Sequence, residues 1–194
     1  QVTRTPDELN FDAAISPDGK LVAYAAGTAG RMRIFVRQVS GSSPVPLAEG
    51  LGGDHRWPRW SPEGSKLAFV ANGAIYVIPV LGGAPQVLVD SGFTPSWSPD
   101  GAQLAFARSG AIWAVAVTGG APRRVVQGYQ VHSPVWSPDS RRIAYVVGNV
   151  QFVGSVTYGN ASPSAVWTTS ATGGDSLAVT DAMHLNVSPV WWPD

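Results

Sequence analysis

A short turn sequence recurs along this chain at intervals of about 40 residues, and it constrains the fold more than any other feature. Each copy has Ser-Pro followed by an acidic and a small residue, at Ser16-Pro17-Asp18-Gly19, Ser61-Pro62-Glu63-Gly64, Ser98-Pro99-Asp100-Gly101 and Ser137-Pro138-Asp139-Ser140. A degenerate further copy starts at Trp192-Pro193-Asp194. A period of this size indicates one supersecondary unit that is copied in series.

Apolar landmarks surround each turn. Pro-x-Trp precedes it at Pro58–Trp60, Pro95–Trp97, Pro134–Trp136 and Pro189–Trp191. An aliphatic-Ala-aromatic triplet follows it at Val22–Tyr24, Leu67–Phe69, Leu104–Phe106 and Ile143–Tyr145. Short β-branched and aromatic runs between Gly, Pro and Ser indicate strands, and no stretch has sustained helical periodicity. We therefore predict four short antiparallel strands per copy, with successive sheets packed face to face as in a β-propeller.

The pattern Pro-x-Trp-Ser-Pro-Asp-Gly, followed by Leu-Ala-Phe and Ile-Tyr-Val, resembles the TolB-type, WD-repeat-like family of bacterial β-propellers. The resemblance covers nearly the whole chain and implies an all-β fold with four complete four-stranded blades. We place one propeller domain or propeller fragment over 1–194, with blades at about 10–49, 55–90, 93–127 and 131–180 and a partial blade at 185–194.

The two ends of the chain read as single strands of further blades. Gln1-Val2-Thr3 resembles the outermost strand of a copy, and Asp194 falls inside a turn. The chain also starts without methionine. Because TolB-type propellers usually have six blades, we expect part of a propeller, whose open blade edges could join copies of the chain to each other.

Composition excludes several classes of function. The 194 residues include 13 acidic and 13 basic side chains, a balance that argues against nucleic-acid binding and attachment to a membrane surface. Without cysteine the chain has no disulfide, thiol nucleophile or thiolate metal site. No apolar run approaches the roughly 20 residues that span a bilayer. No nucleophile elbow, zinc-protease helix or phosphate-binding glycine loop is present, so we expect neither catalysis nor a cofactor.

The family resemblance allows three functions. The first is a non-catalytic scaffold in the bacterial periplasm or outside the cell that binds a protein, peptide or glycan. The second is the accessory or sensor propeller of a larger enzyme, because such propellers accompany peptidases, amidohydrolases and membrane-bound serine/threonine kinases. The third is a structural subunit that assembles through open blade edges. A catalytic domain elsewhere in the parent reading frame would favour the second.

Three histidines are candidate ligand-binding residues. His55, His132 and His184 each precede the first strand of a copy, and that strand is innermost in a propeller, so we expect all three near one mouth of the central channel. Histidine is a common metal ligand and proton carrier. A metal site needs ligand atoms at about 2 Å in a fixed geometry, and the three spacings to the turn differ, so we predict polar or ligand-binding residues but no metal site.

An insertion in the fourth copy is the candidate partner-binding loop. It contains Phe152 and Tyr158, which could act as exposed aromatic anchors, because per-repeat insertions lie in loops on one face. In the same copy Ser140 replaces the glycine of the turn. If the positive φ of that position is kept, serine should cost roughly 1–2 kcal/mol there.

Overall fold

The chain folds into four antiparallel four-stranded sheets. The computed structural model describes residues 9–150, 162–186 and 188–192. Neighbours in sequence are neighbours in each sheet. Sheet 1 contains β1 (Leu9–Ile15), β2 (Leu21–Gly27), β3 (Arg33–Gln38) and β4 (Val45–Leu47). Sheet 2 contains β5 (His55–Trp60), β6 (Lys66–Ala71), β7 (Ala74–Pro79) and β8 (Gln86–Val89).

The second half of the chain repeats this arrangement. Sheet 3 contains β9 (Phe93–Trp97), β10 (Gln103–Arg108), β11 (Ala111–Ala116) and β12 (Arg123–Gln127). Sheet 4 contains β13 (Val131–Trp136), β14 (Arg142–Val147), β15 (Ala165–Ser170) and β16 (Ser176–Ala178). The described residues contain no helix, and therefore no helix that is long and apolar enough to cross a membrane. The predicted all-β fold of propeller blades is confirmed.

Two predicted features lie outside the described residues. They are the orphan strand Gln1-Val2-Thr3 and the aromatic pair Phe152 and Tyr158. Their roles stay predictions.

The chain divides into two compact units, Gln1–Phe93 and Thr94–Asp194. In the first, the core lies between sheets 1 and 2, where Ile34 and Val36 of β3 pack with Leu67 and Phe69 of β6. The middle strands are buried on both faces, because every residue of β6 after Lys66 is buried. A strand covered on both faces loses the alternation of a half-exposed strand, which explains the continuous apolar run in each copy.

Tryptophan at the end of the first strand joins one sheet to the next in the first unit. Trp60 of β5 is 8% exposed, and its indole Nε1 donates a hydrogen bond of 2.9 Å to the carbonyl of Ala14 in β1. Trp97 and Trp136, at the same position in sheets 3 and 4, are also buried. In the second unit Trp191 donates in the same way to Val135 of β13, at 3.1 Å. The preceding strand thus supplies an acceptor for the indole N–H of Trp60 and Trp191, whereas the buried Nε1 of Trp136 has no partner among the described residues.

The Ser-Pro-Asp-Gly turns are closed by their own side chains. In the first turn Ser16 Oγ donates to Asp18 Oδ1 at 2.6 Å and accepts from the amide of Leu21, while the Gly19 amide donates to the Ser16 carbonyl. The hydrogen bond from the serine hydroxyl, and next the one from the Lys20 amide, lower the pKa of Asp18. The repeated aspartates therefore serve the turn rather than acid–base chemistry.

Ser140 occupies the glycine position of the fourth turn and keeps the left-handed backbone, with φ of 60° against 70° at Gly101. We expect Ser140→Gly to raise the free energy of unfolding by about 1 kcal/mol, because glycine removes the steric cost of a side chain at positive φ. The reverse change in the third turn, Gly101→Ser, should lower it by a similar amount. Urea unfolding of both variants measures the effect, and a stability loss in Ser140→Gly would contradict it.

Candidate binding site

His55 begins β5 and lies wholly inside the first unit. Its exposed fraction is 0%, its ring packs 5.4 Å from that of Phe69, and its Nε2 donates to the carbonyl of Leu51 at 2.9 Å. Nδ1 has no hydrogen-bond partner among the described residues. Burial lowers the pKa of His55, because a charged ring would lose its hydration. This ring is therefore neutral near pH 7.

His132 of β13 is also buried, with 1% exposure. Its Nε2 donates to the carbonyl of Gly148 at 2.8 Å, and its Nδ1 accepts from the Ser133 hydroxyl at 2.9 Å. Burial lowers its pKa as well. His184, by contrast, is exposed and lies 3.3 Å from Asp181 Oδ1. Only His184 presents its ring to solvent, and a binding role for the three histidines stays a prediction.

A β-bulge interrupts the first strand of a sheet just before the Pro-x-Trp position. In sheet 1 the register with β2 skips between Phe11 and Ala14, and in sheet 2 the register with β6 skips between Arg56 and Arg59. The residue at this position has positive φ in all four sheets although none is glycine, at Asp12, Trp57, Thr94 and Ser133. Such a backbone costs of order 1–3 kcal/mol and re-aims one side chain out of the strand pattern.

In the first unit the bulges of β1 and β5 are bonded to each other. Asp12 Oδ2 accepts a hydrogen bond from Arg56 Nε at 2.8 Å and another from the Trp57 amide at 3.3 Å. The Asp12 and Arg56 side chains are 18% and 20% exposed. Because a bulge leaves an amide without a ladder partner, the Asp12 carboxylate satisfies a donor that the sheet cannot.

Aromatic rings surround this ion pair. The Arg56 guanidinium carbon lies 5.3 Å from the centre of the Phe11 ring and 5.2 Å from that of Trp57. Trp57 in turn contacts Phe93, with ring centres 6.3 Å apart and planes tilted by 45°. All five side chains, Phe11, Asp12, Arg56, Trp57 and Phe93, are partly exposed, and we call them the arginine–aromatic cluster.

A second arginine, Arg59, lies near the Asp12 carboxylate of this cluster. Burial lowers the pKa of Arg59, and the nearby Asp12 carboxylate partly offsets this effect because it favours the charged guanidinium. Arg59 also donates from Nη1 to the carbonyl of Pro58 at 2.9 Å. The Asp12 carboxylate therefore interacts with the guanidinium groups of both Arg56 and Arg59.

The second unit has small neutral side chains at the equivalent positive-φ positions, Thr94 and Ser133. Thr94 Oγ1 accepts a hydrogen bond of 3.2 Å from the Ser133 amide, as Asp12 does for Trp57. In both units a side chain on one first strand therefore accepts a hydrogen bond from the amide of the equivalent residue on the next first strand. Among the described residues, arginine and aromatic rings surround such a bond in the first unit alone. This difference marks the first unit as the candidate site.

We expect Asp12→Ala to lower the free energy of unfolding by about 1–2 kcal/mol, because it leaves the Trp57 amide and the Arg56 guanidinium without their acceptor. The matched change in the second unit is Thr94→Val, which keeps the shape and removes the acceptor of the Ser133 amide. It should cost about 1 kcal/mol. Urea unfolding measures both, and a neutral Asp12→Ala would show that this acceptor contributes nothing to stability.

The sequence analysis did not select the arginine–aromatic cluster. Its signal is the residue before the Pro-x-Trp motif, which varies from Trp57 to Thr94 and Ser133 while the Pro and Trp of the motif stay constant. Within the described residues, no group of three or more His, Asp or Glu side chains could hold a metal ion. The cluster places the fixed guanidinium group of Arg56 beside aromatic rings, an arrangement that favours ligand binding over catalysis.

Comparisons with known proteins agree with this fold. A family model described as the TolB beta propeller domain matches residues 2–172. No curated protein matches the chain. Among solved structures, a TolB protein from Agrobacterium tumefaciens has a TM-score of 0.72 and 23% identity, over 87% of this chain and 64% of that one. The chain thus spans less than two thirds of that TolB protein.

Enzymes and a binding complex share the same fold. A Mycobacterium tuberculosis puromycin-hydrolyzing peptidase has a TM-score of 0.70 and 15% identity, over 94% of this chain and 30% of its own. A nidogen/laminin complex has a TM-score of 0.70 and 14% identity, over 94% of this chain and 68% of that one. Identities this low show the fold alone.

Proposed function

Because the chain belongs to the TolB beta-propeller domain family, we propose that it is a non-catalytic scaffold that binds a protein, peptide or glycan partner at the arginine–aromatic cluster. Its place is the bacterial periplasm or the cell exterior, where the TolB-type resemblance puts such propellers. It inserts into no membrane and binds no nucleic acid, in keeping with its balanced charge.

The observation that carries this proposal is the partial exposure of three aromatic rings around one fixed arginine. Phe, Trp and Arg are enriched where proteins contact partners, and a few such residues supply most of the binding energy. A strained bulge at Trp57, with φ of 51°, holds one of these rings outside the regular strand pattern. Strain of this kind collects at ligand sites, where it fixes a side chain in advance.

Screening the purified chain against a peptide display library and a glycan array tests the proposal. We expect ligands whose affinity falls at least about 10-fold in Trp57→Ala, since one anchor ring is worth more than about 1 kcal/mol. The control is Tyr129→Ala, which removes an aromatic ring that is 81% exposed in the other unit. The proposal fails if no ligand is found, or if every ligand binds Trp57→Ala as tightly as the unchanged chain.

A second candidate is the accessory propeller of a larger enzyme. It is favoured by the peptidase noted above, in which the matching region is 30% of the chain. The parent reading frame decides, because a catalytic domain beside this one would assign the propeller to the enzyme. Loss of turnover in that enzyme on Trp57→Ala would then indicate a substrate-orienting role.

Self-association is the third candidate. Ile15 stands where the other sheets have a buried tryptophan and is 65% exposed, and Trp192 and Val190 are each 84% exposed. Apolar side chains this exposed favour contact with further protein. We expect light scattering to give a mass above that of one chain, increasing with concentration, whereas a monomer at high concentration would contradict assembly.

A further inference from the structure

We propose that Arg56 binds a carboxylate group of a peptide, whose adjacent apolar side chain packs on the rings of Trp57 and Phe93. This inference rests on the proposed function and names the ligand chemistry of the same cluster. The carboxylate is either the C-terminus of the peptide or an Asp or Glu side chain.

The orientation of Arg56 leaves its outer donors available. Its Nε is bonded to Asp12, and among the described residues its two Nη groups have no hydrogen-bond partner. They are also not sealed from solvent, because neither is among the buried side-chain atoms without a partner. The two Nη groups form the end of the guanidinium fork, which matches the two oxygens of a carboxylate.

The surroundings of Arg56 fix it before any ligand arrives. Contact with the Phe11 and Trp57 rings and the bond to Asp12 hold the long side chain in one place. A free arginine would lose rotamer entropy on binding, and this one has already lost much of it in folding.

The aromatic rings favour a peptide over a sugar. Stacking of a sugar needs an open, flat ring face, but Arg56 already lies over the Phe11 and Trp57 rings. Trp57 and Phe93 are tilted by 45° and form an angled apolar corner instead. Such a corner suits a branched or aromatic side chain next to the carboxylate.

Fluorescence polarisation with labelled peptides tests this. The probes are Gly-Gly-Ala-Leu with a free C-terminus, the same peptide as its C-terminal amide, and acetyl-Gly-Glu-Leu-Gly-amide. The first and third probes carry a carboxylate and the second does not. We expect the second probe, the C-terminal amide, to bind at least about 10-fold more weakly than the tighter of the two carboxylate probes. Tight binding of the first probe identifies a C-terminal carboxylate, and tight binding of the third identifies an acidic side chain.

Variants of the chain complete the test. Arg56→Lys keeps the charge but loses the two-pronged geometry, so we expect about 10-fold weaker binding, and a larger loss in Arg56→Gln. The control is Arg124→Gln, an exposed arginine of the other unit that bonds Gln127. Circular dichroism establishes folding, and if Arg56→Gln does not fold, Arg56→Lys and the amide comparison still decide.

Three results would overturn the inference. The first is equal binding of the carboxylate and amide probes, and if Trp57→Ala still weakens both, the proposed function survives without the carboxylate. The second is binding that Arg56→Lys and Arg56→Gln leave unchanged. The third is binding of trigalacturonate, but of no peptide probe, in a way that depends on Arg56, which would assign the site to an acidic glycan.

Discussion

Replacing Trp60 by alanine should lower the free energy of unfolding by about 3–5 kcal/mol, the largest loss that we expect from any single change in this chain. The indole is 8% exposed and belongs to the core between sheets 1 and 2. Truncation leaves a cavity in that core and also removes the hydrogen bond to the Ala14 carbonyl. Urea unfolding, followed by circular dichroism, measures the loss.

Two further variants separate the contributions. Trp60→Phe keeps an aromatic ring but has no N–H donor, so it should cost about 1–2 kcal/mol less than the alanine variant. Trp192→Ala removes an indole that is 84% exposed and should change stability by no more than about 0.5 kcal/mol. If Trp60→Ala and Trp192→Ala have the same effect, Trp60 does not join the two sheets.

Acidification from pH 7 to pH 5 should destabilise the chain through His55 and His132. Burial lowers the pKa of both rings from the ordinary value of 6.5. In the unfolded chain they take up protons as the pH falls through 6.5, whereas in the folded chain they do so only at a lower pH. Unfolding therefore takes up protons, and stability is lost from about pH 6.5 down to the lowered pKa of each folded ring.

The size of this effect has a physical limit. Each histidine contributes a slope of at most about 1.4 kcal/mol per pH unit, so the two together contribute at most about twice that. We expect the slope to fall in His55→Gln and in His132→Gln, and His184→Gln is the control because its ring is 81% exposed. Unfolding free energies at pH 7, 6 and 5 measure it. Equal slopes in all three variants would contradict the assignment.

Local sequence patterns were sufficient to predict the sheets. The Ser-Pro-Asp-Gly turn specifies its own hydrogen bonds, since Ser16 and Asp18 bond each other and the next amides. The four-stranded unit that contains this turn then occurs four times along the chain. Prediction succeeded here because turn and strand formation depend on residues only a few positions apart.

The surroundings of the candidate histidines could not be predicted in the same way. His55 and His132 differ by one position in register, since His55 pairs with Ala71 whereas His132 occupies the place of Arg56, which pairs with Val70. A shift of one residue sends a side chain to the other face of the sheet. Their similar distances from the turn therefore concealed two different surroundings.

The sequence by itself determined the repeating unit, its turns and its apolar strands, because these follow from neighbouring residues. Only the tertiary structure decided which side chains from different sheets meet. Asp12 reaches Arg56 and Trp57 across 44 and 45 positions of the chain, at bulges that turn these side chains out of the regular alternation. The physical reason is that a bulge changes the direction of one residue, and packing of separate sheets then sets its partner.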